Sequence, residues 1–334
     1  MIVTHLALGS KHNRAAPLLY IINKEIIMAE TTPVPTGEAC FLCKSGGWSP
    51  VYDTAPYRVV KCDSCGLLRI APMPDDVKSR EINEDTYSAE EYRERYFKDR
   101  HNFAAWARAK LKLIERYKPG KGRLLDVGCS YGVFVEEAGK RGWDASGCEM
   151  NPVTGGHSRA RFGEKVHVGG ADGMPFPVDS FDVITLWDVI EHQADPAAFL
   201  KMLSRYLKAD GLLFLQMPNF DSYISGLKKA RWDWLTPGDH RYFFTSDTLA
   251  RTAAAAGFVQ IHHETWEPTR YFIDSLIGLG ERSGFLAKLY RATAVRAVRI
   301  FFSFLFLPFQ RRLAADGKGA LLVSVLARER GQGD

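Results

Sequence analysis

The sequence of 334 residues has no uninterrupted run of eighteen apolar residues, so no membrane-spanning helix is expected. It also lacks a strong charge of either sign. A net charge of +5 is too mild to point to nucleic acid by itself. The first 27 residues are not expected to be a secretory leader: the apolar stretch PLLYIINKEII is broken by Lys24 and Glu25, and no small-residue cleavage site follows. Met28 opens a polar segment and is a second candidate start, so residues 1–37 are expected to be a disordered extension. With 46% hydrophobic residues, the remainder can bury a sizeable core.

Cysteine is scarce outside one short segment. Of six cysteines, only Cys129 and Cys148 lie elsewhere. Cys40, Cys43, Cys62 and Cys65 form two C-x2-C pairs separated by eighteen residues. That spacing suits a four-thiolate zinc site, in which each pair turns two sulfurs toward one point. Two disulfides would instead need an oxidising compartment, for which there is no signal. YRVVKCDSCGLLRI reads as strand, knuckle, strand, so residues 38–72 are expected to be a zinc ribbon with a structural metal. Its charge is nearly balanced: Lys44, Arg58, Lys61 and Arg69 against Glu38, Asp53 and Asp63. This argues against a nucleic-acid ribbon and for a docking or substrate-shaping role.

Residues 73–117 read as a helical linker or lid. They are charged, carry Tyr87, Tyr92 and Tyr96, and show helical spacing through Phe103, Trp106, Leu111 and Ile114. From 118 on, apolar strands alternate with amphipathic helices. RLLDVG, DASGCEMN, VHVGGADGMP, FDVITLWDVIEH and LLFLQMPN read as five strands. The expected fold is α/β, a doubly wound, Rossmann-like parallel sheet that binds ligands at the carboxyl ends of its strands.

The glycine-rich turn LLDVGCSYG has the spacing G-x-S-x-G, not the dinucleotide G-x-G-x-x-G. Small residues there let a ligand approach the backbone. Glu149, ending the second strand, can grip two ribose hydroxyls, and Asp172, after the third, can accept from an adenine amino group. Together they describe a site for an adenosine whose tail is not a pyrophosphate.

LLDVGCSYG, GCEMNP, ADGMPFPVDSFDVITLWDVIEHQADP and GDHRYFFTSDTLARTAAAAGF resemble class I S-adenosylmethionine-dependent methyltransferases. The resemblance implies a seven-stranded sheet over 118–267 plus 319–330. GFVQIHHETW would be the sixth strand and ALLVSVLARE the seventh, with 268–318 a basic and apolar insertion. It implies cofactor contacts from Asp126, Gly128, Cys129, Ser130, Gly132, Glu149, Asp172, Gly173 and Trp187. WDVIEH is similar to the EVIEH of ubiquinone-type O-methyltransferases, some of which are proposed to bind magnesium. The matching residues are Asp188, Glu191 and His192, with Asp shortening the reach of the first ligand.

Residues 217–249 also look like a bacterial subfamily of glycan and envelope biosynthesis. Trp232, Trp234, Tyr242 and Phe243 are expected to wall the acceptor site. His240 is the candidate base for a hydroxyl proton, with His192 and Glu191 the other candidate catalytic groups. The (N/D)PPY motif of amino-directed base methyltransferases is absent, as is a nucleophilic cysteine after the fourth strand. The expectation is O-methylation of a small or glycan-like hydroxyl acceptor in the cytoplasm. Alternatives are a sugar C-methyltransferase, a ribosomal RNA methyltransferase, or a cofactor-binding docking protein without turnover. Residues 285–313 hold six basic residues and no acid beside bulky apolar ones, which suits a peripheral contact with an anionic membrane surface.

Overall fold

Short apolar runs separated by capped helices fix the sheet. The computed structural model describes residues 38–268, 271, 272, 275 and 296–329. Residues 1–37 and much of 285–313, where the extension and the membrane contact were expected, lie outside the described residues or outside those with described side chains.

Strands β1 (Trp48–Thr54), β2 (Tyr57–Cys62) and β3 (Leu68–Ala71) form an antiparallel ribbon. Helices α1 (Asp76–Tyr87), α2 (Glu90–Lys98) and α3 (Arg100–Tyr117) follow. Next come β4 (Arg123–Val127), α4 (Val133–Lys140), β5 (Asp144–Glu149), α5 (Pro152–Phe162) and β6 (Val166–Val168). The chain continues through β7 (Phe181–Trp187), α6 (Pro196–Ser204), β8 (Leu207–Pro218) and α7 (Tyr223–Lys228). It ends with β9 (Tyr242–Phe243), α8 (Ser246–Ala255), β10 (Phe258–Trp266), α9 (Arg296–Ala315) and β11 (Leu321–Arg328).

The caps are visible in the sequence. Asn151 accepts from the amides of Val153 and Thr154, with Pro152 opening α5. Asp195 and Pro196 do the same for α6, and Thr245 and Thr248 cap α8 reciprocally.

The main sheet has the order β10-β11-β8-β7-β4-β5-β6. Strands β4 to β8 run parallel, and β11 is antiparallel to both β8 and β10. The expected seven strands are therefore present. Chain order reverses around β4, which leaves a crevice at the carboxyl ends of β4 and β7. Two strands are shorter than expected. β6 stops at Val168, where Gly169 takes φ +147°, and Ala171–Gly173 forms a 3-10 turn. β7 stops at Trp187, since Asp188 takes φ +58°, and Ile190–His192 forms another 3-10 turn.

The ribbon gains a fourth strand from far along the chain. β9 pairs with β3, Leu68 opposite Phe243 and Arg69 opposite Tyr242. Cys40, Trp48, Cys62 and Cys65 pack in the same core as Leu125, Leu186 and Phe258. Tyr92 and Tyr96 of α2 lie against Tyr131 of the glycine turn, at ring distances of 6.2 and 4.8 Å. Among the described residues, no helix is long and apolar enough to cross a membrane.

Candidate active site

The ribbon thiols converge. Cys40 Sγ lies 3.5 Å from Cys65 Sγ, and Cys43 Sγ 3.5 Å from Cys62 Sγ. These gaps are too long for disulfides, and all four thiols are free. They are near the separation of roughly 3.8 Å set by a tetrahedron with Zn–S of about 2.3 Å. Each knuckle turns through a left-handed residue four positions after its first cysteine: Lys44 at φ +62° and Gly66 at φ +76°. The donor set therefore fits one zinc ion with no open position.

In the glycine turn, Gly128, Ser130 and Gly132 take φ of +81°, +47° and +77°. A Cβ on Gly128 would lie 2.6 Å from Val189 Cγ2, and one on Gly132 2.5 Å from the Phe162 ring. Smallness here is thus demanded by the chain itself, before any ligand. A valine at 128 would disturb the fold as well as a ligand site. Cys129 is buried, and a Cβ on Gly147 would meet its sulfur, so its side chain fills core space. Cys148 is buried likewise.

Asp126 is 2% exposed and accepts from Thr185 Oγ1 at 2.7 Å. Burial pushes its carboxyl up to about 7. Glu149, at the end of β5, accepts the amide of Asn151 on one oxygen and that of Ser130 on the other, each at 2.8 Å. Each oxygen keeps a lone pair for a further donor. Trp187 Nε1 is buried without a hydrogen-bond partner. Asp172 and Gly173 are exposed at the rim, in the turn after β6.

Beyond β7 a second cluster gathers. Ligating atoms of Glu191, His192 and His240 lie within 4.8 Å of one another. The three candidate catalytic side chains therefore meet. Asp188 does not join them: it accepts from Gln216 Nε2 at 3.0 and 3.3 Å. Among the described residues, Glu191 and His192 gather with His240 rather than with Asp188. Two imidazoles and one carboxylate are also a poor match to magnesium, which prefers oxygen ligands.

The charges of the cluster are ordered by Asp239. His192 Nδ1 lies 2.8 Å from the Asp239 carbonyl and 3.2 Å from its carboxylate. Burial disfavours the His192 cation, yet Asp239 outweighs it and holds the ring up at about 10. Asp239 feels the same burial, and His192 brings it down to about 2. Tyr87 of α1 donates to Asp239 at 3.2 Å. The His240 ring lies 4.8 Å from that of His192. Burial and the adjacent cation bring His240 down to about 4, so it is neutral at pH 7. Its Nδ1 lies 2.9 Å from the Trp234 carbonyl. That contact requires the proton on Nδ1 and leaves Nε2 as an acceptor. Glu191 is 1% exposed, with neither oxygen partnered, and burial raises it to about 8.

The expected aromatic walls are mostly buried in the core. Trp232, Tyr242 and Phe243 are core residues, and Trp234 is half-buried and stacked on Tyr271 at 4.2 Å. They were read as acceptor walls because a cluster of rings has no signature that separates a core from a site.

A model of the methyltransferase domain matches residues 92–263, more than half of the chain. The chain belongs to the methyltransferase domain family. A ubiquinone biosynthesis O-methyltransferase from Azorhizobium caulinodans is 29% identical over 153 residues, 42% of this chain and 60% of that one. One from Cereibacter sphaeroides is 31% identical over 147 residues, 40% of this chain and 59% of that one. The match thus spans less than two thirds of these relatives' length. Among solved structures, phosphoethanolamine N-methyltransferase 2 from Haemonchus contortus gives a TM-score of 0.49 at 17% identity, covering 79% of this chain and 63% of that one.

The family resemblance pointed to neither Asp239 nor Lys110. Asp239 precedes His240 directly, and an acid beside a histidine is too common to read. Lys110 stands on the apolar face of α3, and that misplacement was a usable signal.

Proposed function

We propose that this chain transfers a methyl group from S-adenosylmethionine to a hydroxyl oxygen of a small or glycan-like acceptor. The observation that carries this reading is the gathering of Glu191, His192 and His240 just beyond β7 of a methyltransferase domain. His240 there is neutral with Nε2 unprotonated, beside cationic His192. Glu149 is buried at the end of β5 with lone pairs free. The O-methyltransferase relatives favour oxygen as the acceptor atom.

The residues present fit the cofactor. Glu149 suits ribose hydroxyls, Asp172 the adenine amino group, and Trp187 Nε1 is a buried donor in want of a partner. Gly128 and Gly132 keep the turn close to the ligand. The cofactor, when bound, supplies a methyl group already activated as a sulfonium. The chain's own task is then to align the acceptor and take its proton. His240 Nε2 accepts that proton. His192, held charged by Asp239, stabilises the negative charge left on oxygen.

The ribbon thiols Cys40, Cys43, Cys62 and Cys65 would hold a structural zinc. Residues 118–267 with 319–330 would form the catalytic domain, and 73–117 its lid. A peripheral membrane contact through 285–313 remains a proposal; wild-type protein that fails to float with anionic liposomes at low salt would remove it.

The reading is tested with cofactor carrying a labelled methyl group and a panel of phenolic, polyprenylated and sugar hydroxyls. Label bonded to oxygen supports it. Label bonded to nitrogen or carbon overturns the oxygen assignment.

A further inference from the structure

Arg241 separates His240 from β9 and is 6% exposed. A guanidinium is costly to bury unless its donors are used. Those of Arg241 go to one short stretch, residues 73–76, where the chain passes from the ribbon into α1. Nη2 donates to the Pro74 carbonyl at 2.6 Å and Nη1 to the Asp76 carboxylate at 3.1 Å, while Nε lies 3.4 Å from Met73 Sδ.

The backbone of the same residue is tied to other parts. Arg241 N donates to the Glu191 carbonyl at 2.9 Å, and its carbonyl accepts from Ile70 N at 3.0 Å. Tyr242, the next residue, donates from its hydroxyl to the Ala194 carbonyl at 3.0 Å. The residue after His240 is thus bonded to the residue before His192. On the other side, the amides of Asp239 and His240 donate to the Thr236 carbonyl at 3.2 and 2.9 Å. Between these ties the two imidazole rings stand 4.8 Å apart and 77° to one another. The titratable groups that face His240 are His192 and Glu191 of the 3-10 turn, Asp239 of its own segment and, through Asp239, Tyr87 of α1. We infer that Arg241 is a positioning residue that acts through His240: its guanidinium grips the 73–76 stretch, so that its backbone holds His240 beside His192. As a role in methyl transfer this rests on the reading proposed above.

Arg241→Met removes the grip and keeps much of the bulk. The full chain, carrying nitrogen-15 histidine, is titrated by imidazole nitrogen magnetic resonance, with His192→Gln and His240→Gln giving the assignments. In the wild type His240 stays neutral down to about pH 4. In Arg241→Met it leaves its burial and the His192 cation, and should titrate about one pH unit or more higher, toward the ordinary histidine value of about 6.5. Turnover should fall by about tenfold to a hundredfold, the cost of misplacing a reacting group, with zinc content and affinity for S-adenosylhomocysteine unchanged. If that variant does not fold, Arg241→Lys keeps the charge, loses the fork and should show the same changes in smaller measure. An unshifted His240 titration overturns the inference. So does a loss of zinc or of cofactor affinity that matches the loss of turnover, which would make Arg241 structural only. A shifted His240 in a protein whose wild type methylates no acceptor would sustain the inference and overturn the reaction reading instead.

Discussion

In the ribbon, four thiols come from two tight turns, with Cys40 and Cys65 only 25 positions apart. In the histidine cluster, Tyr87 meets Asp239 across 152 positions, and His192 meets it across 47. The first site is assembled by local backbone geometry plus a metal. The second depends on distant segments being held together by something else. β3 of the ribbon does much of that holding. It pairs with β9, which begins two residues after His240, and Ile70 N donates to the Arg241 carbonyl at 3.0 Å. Arg241 N in turn donates to the Glu191 carbonyl at 2.9 Å. The two sites are therefore linked through Arg241, whose backbone bonds both β3 and Glu191.

The largest effect should come from the ribbon. Cys65→Ser removes one zinc ligand, and binding of a structural zinc supplies about 10–16 kcal/mol of apparent folding energy. The variant should lose its zinc, its ribbon structure and its methyl transfer together. Elemental analysis, near-ultraviolet circular dichroism and turnover report the three. Methyl transfer that survives zinc loss would break that link.

His240→Ala attacks the other site. Turnover should fall by about 10²–10⁴, the usual worth of a general base, while zinc content and cofactor affinity stay at wild-type levels. His240 is neutral above a pKa of about 4, so the acid limb of the wild-type rate profile should reflect that low value rather than the ordinary histidine range. Unchanged turnover in the variant would take His240 out of the mechanism.

Glu149→Ala touches neither cluster. It should weaken the cofactor by about 1.5–3 kcal/mol, the range for hydrogen bonds to a charged group, and leave zinc in place. Calorimetry at wild-type affinity would sink the role given to Glu149.

The smallest effect concerns stability. His192 has its folded pKa raised to about 10, so its bond to Asp239 stabilises fully below the ordinary histidine pKa and fades as pH rises toward 10. Asp239 has its folded pKa lowered to about 2, so the same bond is present above the ordinary carboxylate range and fades as pH falls toward 2. Asp239→Asn should therefore be destabilised most between about pH 4 and 6.5, by about 1–2 kcal/mol, and approach wild type above that window. Thermal melts across pH would reveal a flat difference if the pair carries no charge.

The same contrast governs what could be read from the chain. The ribbon was legible because Cys-x2-Cys spacing sets its own geometry. The sheet was legible because each strand is an apolar run closed by glycine or a helix cap, as at Asn151–Pro152 and Asp195–Pro196. β9 was not, since two residues carry no pattern and their partner lies in the ribbon. The buried state of Trp232, Tyr242 and Phe243 was not either, because β9 is what draws the last two inward. His192 and His240 were picked out separately, but only the fold brings them to a ring distance of 4.8 Å and sets one charged and one neutral. Asp188 was grouped with Glu191 and His192 by the likeness of WDVIEH to EVIEH, while the fold gathers His240 with those two instead.

The most direct test is the fate of the methyl group. Full-length, zinc-loaded protein is incubated with methyl-labelled S-adenosylmethionine and hydroxyl acceptors, and the product is resolved by nuclear magnetic resonance. The account predicts a methyl carbon bonded to oxygen, formed by wild type and slowed severely in His240→Ala. A methyl carbon bonded to nitrogen or carbon, formed equally well by both proteins, would contradict it.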